Sequence, residues 1–282
     1  MDKRNEMTLN CNGRLIDLSR PVIMGILNRT PDSFFDGGRF SDENALLTQV
    51  EKMIREGAAM IDVGGASTRP GAEEVPQNEE LRRVIPAIEA IKKHFPDTVI
   101  SIDTWRAEVA RDAVGSGASV INDISAGRFD PQMYRTVASL GVPYILMHIS
   151  GTPQTMQQSP HYEDVVNEVL DFFILELEKL RTAGIKDIVL DPGFGFGKTV
   201  EHNYQLLKNL HVFEAVTGLP VLAGISRKSM ICKVLKVKPE HALNGTTALH
   251  MVTLREGARI LRVHDVKEAA EVIRLWETME TA

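Results

Sequence analysis

The last apolar run of this 282-residue chain ends in Arg262-Val263-His264, and that tripeptide carries the most pointed chemistry in the sequence. Residues two apart on a strand project to one face, so the guanidinium and the imidazole lie side by side. Such a pair is costly as structural filler. Its use is to hold an anion, and a guanidinium also lies flat against a planar heterocycle. A second polar cluster, Ser226-Arg227-Lys228-Ser229, leads into a helical segment from Met230 to Leu235. Hydroxyls and N–H groups at a helix start attract negative charge, and Lys228 adds a donor. Arg69, within Ser67-Thr68-Arg69-Pro70, is a further cation.

Asp103, Asn122 and Asp191 close three other apolar runs. With Lys228 they offer acceptors and donors suited to a flat, nitrogen-rich ring, since a carboxylate accepts two hydrogen bonds from an amino-amidine edge such as that of guanine or a pterin. Met147 and Phe196 can pack on such a ring, although a Met or Phe near a strand end is more often plain core. The stretch Asp191 to Lys198 invites reading as a phosphate-binding P-loop, but Gly193 and Gly197 enclose three residues where that motif needs four. It reads instead as a flexible turn that brings Asp191 and Phe196 to one place. His148, His161, His202, His211 and His250 form no zinc-type spacing, with His148 a candidate for a supporting role and the other four surface or core.

These groups need a scaffold that converges them. From Val22 onward one unit recurs: an apolar run ending in a polar residue, a loop, an amphipathic segment and a helix stop. The runs are VIMGILN, AMIDVGG, TVISID, SVIND, YILMH, DIVLD, VLAGIS and RILRVHD, closing on or containing Asn28, Asp62, Asp103, Asp123, His148, Asp191, Ser226 and Asp265. Continuous rather than alternating apolar character suits parallel strands buried on both faces. The stops are Gly57, Gly117, Gly141, Gly184, Gly218 and Gly257, with Pro96 before the third run. Eight strands with intervening helices, closed by a helix over Val266 to Thr278, predict a single (β/α)₈ barrel spanning residues 1–282. Ahead of it, residues 7–19 read as a hairpin turning at Asn12-Gly13 and covering the barrel floor. Taken singly, each strand-end Asp or Asn is equally a cap or turn residue. Together they share the C-terminal mouth where barrel active sites lie. Two long connections, Arg29 to Ser41 and Ala66 to Asn78, read as lids or substrate walls.

Bulk properties narrow the classes. Charged residues are 25% and hydrophobic ones 43% of the chain, which suits a folded globular domain. A net charge of −6 offers no general attraction for nucleic acid or an acidic membrane surface. No apolar run reaches spanning length and the N-terminus is not signal-like, so a cytoplasmic location is expected. Cys11 and Cys232 are expected to be reduced thiols.

The ordered segments MGILNRTPDSFFDGG, GGASTRPG, SIDT, INDISAG, MHISG, LDPGFGFGK, GISRKS and RVHDV resemble the dihydropteroate synthase family of the folate pathway over nearly the whole chain. The resemblance implies condensation of 6-hydroxymethyl-7,8-dihydropterin diphosphate with para-aminobenzoate, giving 7,8-dihydropteroate and diphosphate. It implies that Asp103, Asn122, Asp191 and Lys228 bind the pterin, with Met147 and Phe196 packed on it and Arg262 stacked against it. Asn28, Arg262 and His264 would hold the diphosphate, and Asn28 would ligate Mg²⁺. Phe34, Thr68, Arg69, Pro70 and Ser229 would form the para-aminobenzoate pocket, where sulfonamide drugs act in the family. Asp103, Lys228, Arg262 and His264 would serve the chemistry, and a homodimer is implied. The chain departs from the family at Ala66, commonly Glu, and at Arg29, commonly a small apolar residue. A corrinoid methyltransferase barrel shares the fold and the acidic pterin pocket but has no use for Ser67-Thr68-Arg69-Pro70. A non-catalytic pterin-binding paralogue has no use for the full set of Asn28, Asp103, Asp191, Lys228, Arg262 and His264.

Overall fold

A computed structural model describes residues 7–29, 39–66 and 74–282. The chain opens on the expected hairpin, β1 (Thr8–Cys11) and β2 (Arg14–Asp17), with Cys11 opposite Arg14. Its turn residues Asn12 and Gly13 have φ of 55° and 89°, the pair of left-handed conformations that a two-residue hairpin turn requires.

Eight parallel strands follow: β3 (Val22–Asn28), β4 (Met60–Gly64), β5 (Val99–Asp103), β6 (Val120–Asp123), β7 (Tyr144–Met147), β8 (Ile188–Asp191), β9 (Leu222–Ala223) and β10 (Ile260–Val263). They run in the order β8-β7-β6-β5-β4-β3-β10-β9, and a parallel bridge from Leu190 to Val221 joins the two edges into the predicted barrel. β9 is much shorter than its apolar run. Beyond Ala223 the backbone leaves the sheet for a turn in which Lys228 N–H donates to Ile225 C=O at 3.1 Å.

Helices cover the barrel: α1 (Arg39–Glu56), α2 (Gln77–His94), α3 (Ala107–Gly115), α4 (Met133–Leu140), α5 (Val165–Thr182), α6 (Val200–Lys208), α7 (His211–Thr217), α8 (Ser229–Leu235), α9 (Leu243–Arg255) and α10 (Val266–Thr281). The two long connections are shorter than expected because α1 begins at Arg39 and α2 at Gln77. In α2, Pro76 caps a first turn containing Glu79 and Glu80, which oppose the positive end of the helix. The six glycine stops all have positive φ, and Gly141 shows why. At φ 65° it ends α4 while its N–H still reaches Val137 C=O.

Strand periodicity sorts the interior into layers. Met24, Met60, Val99, Val120, Ile145, Val189, Leu222 and Ile260 supply one buried apolar residue from each barrel strand. Leu9, Cys11, Ile16 and Leu18 of the hairpin pack onto this ring and close the floor. Cys11 is therefore buried, and both cysteines are free. Two residues further along the same strands come Ile26, Asp62, Ser101, Asn122, Met147, Asp191, Gly224 and Arg262, a largely polar layer. Two further again come Asn28, Gly64, Asp103 and His264, at the rim. The intervening positions, such as Ile61, Val63, Ile100, Ile102 and Ile121, join the apolar shell beneath the helices.

Candidate active site

The polar layer is organised around Arg262. Its Nε donates to Asp62 Oδ2 at 2.6 Å and its Nη2 to Asp103 Oδ2 at 2.7 Å. Asn122 Nδ2 donates to the same Asp62 oxygen at 3.0 Å. Three strands, β4, β5 and β6, thus present a polar set to an arginine from β10. The second oxygens of both carboxylates, Asp62 Oδ1 and Asp103 Oδ1, are buried without a hydrogen-bond partner among the described residues. Unmet acceptors in a buried pocket favour a ligand carrying N–H or O–H groups.

Burial pushes the Asp103 carboxyl up to about 7; Arg262 opposes the shift while Asp62, Glu80 and Asp123 reinforce it. For Arg262 burial acts against the charge, but Asp62 and Asp103 outweigh it and the guanidinium is held more firmly protonated than usual. Here the guanidinium is turned onto two carboxylates, an arrangement that strand spacing alone did not suggest.

A second group lies between β8 and α8. Burial raises the Asp191 carboxyl against the pull of Lys228, and Asp191 Oδ1 accepts from Gly193 N–H at 2.8 Å. Lys228 is brought down to about 8 by burial, with Asp191 opposing the shift. Its ammonium donates to Phe194 C=O and stands 4.4 Å from the centre of the Phe196 ring. Phe196 borders a small apolar cluster of Ile124, Met147, Ile149 and Met156, so Met147 and Phe196 together form an apolar side to the mouth.

The rim carries the remaining basic groups. His264 is exposed; its backbone N–H donates to Ser226 Oγ at 3.2 Å, and its Nδ1 is 3.1 Å from that same hydroxyl. Half-buried Asn28 ends β3. A Cβ placed on Gly64 would lie 3.7 Å from Asn28 Oδ1 and 3.7 Å from Asp103 Oδ2, so glycine leaves these two groups facing a shared space. Ser229 is exposed as the first residue of α8. Phe34, Thr68, Arg69 and Pro70 lie outside the described residues. Arg29 and Ala66 stand at the edges of those segments, with Arg29 N–H bonded to Gly64 C=O at 2.7 Å.

Two local readings change. The segment after Asp191 is a tightly built turn rather than a flexible one. Lys198 is buried, and its ammonium bonds His148 Nδ1 at 2.9 Å and the carbonyls of Gly193 and Phe196 at 3.0 Å each. A Cβ on Gly193 would sit 1.9 Å from His148 C=O, so only glycine fits. Burial drives both His148 and Lys198 well below their ordinary values, and the bonds of Lys198 to the His148 ring and carbonyl make His148 a support for this turn. Arg227, adjacent to the active cluster, is occupied by a bidentate pair with Asp265 at 2.8 and 2.7 Å.

Sequence reasoning placed Asp62 and Ser226 at the mouth only as members of the strand-end set, and passed over Lys198 as a site-building residue. Asp62 carried a further usable signal: it follows Met60 by two, as Arg262 follows Ile260. Lys198 gave none, because its partners are fixed only by loop geometry.

A (β/α)₈ barrel whose strand ends build an acid-lined pocket with a basic rim defines a small-molecule enzyme. The profile of the family described as Pterin binding enzyme matches residues 24–264. The dihydropteroate synthase of Haemophilus influenzae is 47% identical over 278 residues, covering 98% of this chain and 100% of that protein. Among solved structures, Yersinia pestis dihydropteroate synthase in a sulfonamide drug complex superposes with a TM-score of 0.92 at 44% identity, covering 98% and 100% of the two chains. Xanthomonas albilineans dihydropteroate synthase with 4-aminobenzoic acid superposes with a TM-score of 0.91 at 42% identity, covering 99% and 100%. The chain belongs to the pterin-binding enzyme family.

Proposed function

We propose that this protein is a transferase that joins 6-hydroxymethyl-7,8-dihydropterin diphosphate to para-aminobenzoate, releasing diphosphate and giving 7,8-dihydropteroate. The observation that carries the reading is the pocket in which Asn122, Asp191 and Arg262 lie beneath a rim of Asn28, Asp103 and His264, with Lys228 beside Asp191. The unmet Asp103 oxygen and the Asp191 carboxylate accept from the amino and ring N–H groups of the pterin, and Lys228 donates to its acceptors. Phe196 and Met147 supply the apolar surface against the ring. Nearly full-length relatives named dihydropteroate synthase, and one solved with 4-aminobenzoic acid, support the same substrates.

Arg262 and His264 receive the diphosphate. The carbon–oxygen bond at the pterin methylene breaks with both electrons leaving on oxygen, and the dihydropterin ring spreads the positive charge left behind. Asp103 and Asp191 make the pocket favourable to that cation. The aniline nitrogen then bonds the methylene carbon, and its surplus proton is lost to diphosphate or water. Ser229, with Arg69, receives the aminobenzoate carboxylate.

The donor set also fits Mg²⁺. Asn28 offers a carboxamide oxygen beside the Asp103 carboxylate across Gly64, which suits an ion that takes few protein ligands and fills its shell with water and phosphate oxygens. When bound it would neutralise charge on the leaving diphosphate. A homodimer and a cytoplasmic location belong to the same reading; no helix of the described residues is long and apolar enough to cross a membrane.

The test is diphosphate release and dihydropteroate formation with and without para-aminobenzoate and Mg²⁺. Product is expected only with both substrates, and Lys228→Ala or Asp191→Asn should weaken pterin binding about 10-fold or more, the scale of one charged hydrogen bond. Folded protein that forms no coupled product overturns the reading.

A further inference from the structure

We infer that Asp62 is a positioning residue that sets the donor and acceptor polarity of Asn122 and the orientation of Arg262. This rests on the pterin reading above. The Asp62 side chain is fully buried at 0% exposure, in the layer beneath Asp103, so it works through other groups. Its Oδ2 takes two hydrogen bonds from two different strands, Asn122 Nδ2–H at 3.0 Å and Arg262 Nε–H at 2.6 Å. Its Oδ1 has no hydrogen-bond partner among the described residues. A carboxylate kept in such a place is expensive to desolvate and leaves one oxygen unmet. An apolar residue of similar size would pack a barrel layer without that cost, so the acid is there for what it holds.

What it holds is specific. A carboxamide turned over exchanges its donor and acceptor while keeping its shape. By accepting one Nδ2 hydrogen, Asp62 fixes which way Asn122 faces, and Asn122 Oδ1 is thereby assigned to the ligand as an acceptor. By accepting Nε–H, it fixes the plane of the guanidinium, whose Nη2 bridges to Asp103 at 2.7 Å. One buried oxygen thus couples the group that reads the pterin edge to the group that meets the diphosphate. No hydrogen bond joins Asn122 directly to Arg262 among the described residues, so the coupling runs through Asp62.

The experiment measures binding of 6-hydroxymethylpterin by fluorescence quenching in wild type, Asp62→Leu, Asn122→Ala, Asp62→Leu/Asn122→Ala, Arg262→Lys and Asn122→Ala/Arg262→Lys. Leu removes both acceptors at similar size, so Asp62→Leu should weaken binding 10-fold or more, and its pairing with Asn122→Ala should lose at least 5-fold less than the product of the two single losses. The Asn122→Ala/Arg262→Lys pair should also lose at least 5-fold less than the product of its single losses, because both act through the same carboxylate. That second cycle stands even if Asp62→Leu does not fold. Losses that multiply to within 5-fold in either cycle overturn the inference, as does a folded Asp62→Leu that binds like wild type. Wild-type protein that makes no dihydropteroate sinks the underlying reading instead, whereas an active wild type with multiplicative losses sinks only the role of Asp62.

Discussion

Replacing Asp103 by Asn should stabilise the protein in a pH-dependent way while impairing its pterin site. Burial lifts the Asp103 carboxyl from 3.8 to about 7, even though Arg262 pulls the other way. Between those values the folded protein holds a proton that the unfolded chain has released. Stability therefore falls as pH rises through this window, and the contribution is complete only below the unfolded value. From pH 5 to pH 8 the loss corresponds to about 3 kcal/mol at full weight. The side chain retains 9% exposure at the mouth, so contact with water reduces this to about 1–3 kcal/mol. Asn at this position has no proton to lose, and its Oδ1 still accepts from Arg262 Nη2. The stability difference, Asp103→Asn minus wild type, should accordingly grow by that amount between pH 5 and pH 8. Urea unfolding of both proteins at pH 5, 6, 7 and 8 measures it, with pterin affinity followed in parallel. Parallel stability curves, or a wild type that gains on Asp103→Asn as pH rises, would refute the buried-charge argument.

Other expectations separate the layers of the barrel. Gly193→Ala should cost about 3 kcal/mol or more, because its Cβ would meet His148 C=O at 1.9 Å and its φ is +69°; the melting temperature reports this, and an unchanged value refutes the tight-turn geometry. Leu18→Ala removes a fully buried contact of the floor cluster and should cost about 2–5 kcal/mol. The KM for each substrate should stay within 2-fold of wild type, since the floor lies below the polar layer, and a larger change would show that floor and site are not independent.

Much of this protein was legible in its order of residues. Eight unbroken apolar runs with glycine stops define parallel strands buried on both faces, and Asn12-Gly13 defines a hairpin, because these are local demands of backbone conformation and burial. The strand-end groups Asp103, Asn122, Asp191 and Arg262 were also readable, since a barrel delivers every strand end to one mouth. Local pattern does not say which strand-end groups touch. That depends on barrel stagger, which places Asp62 beside Asn122 and Arg262 although 60 and 200 residues separate them in the chain. The same holds for Lys198, whose glycine-rich surroundings suggest freedom of movement. Tertiary packing instead buries its ammonium against His148 and two backbone carbonyls. Residue types and their period determined which groups reach the mouth. Only the closed barrel decided how they are paired, because pairing follows from register across strands, which sequence neighbours do not encode.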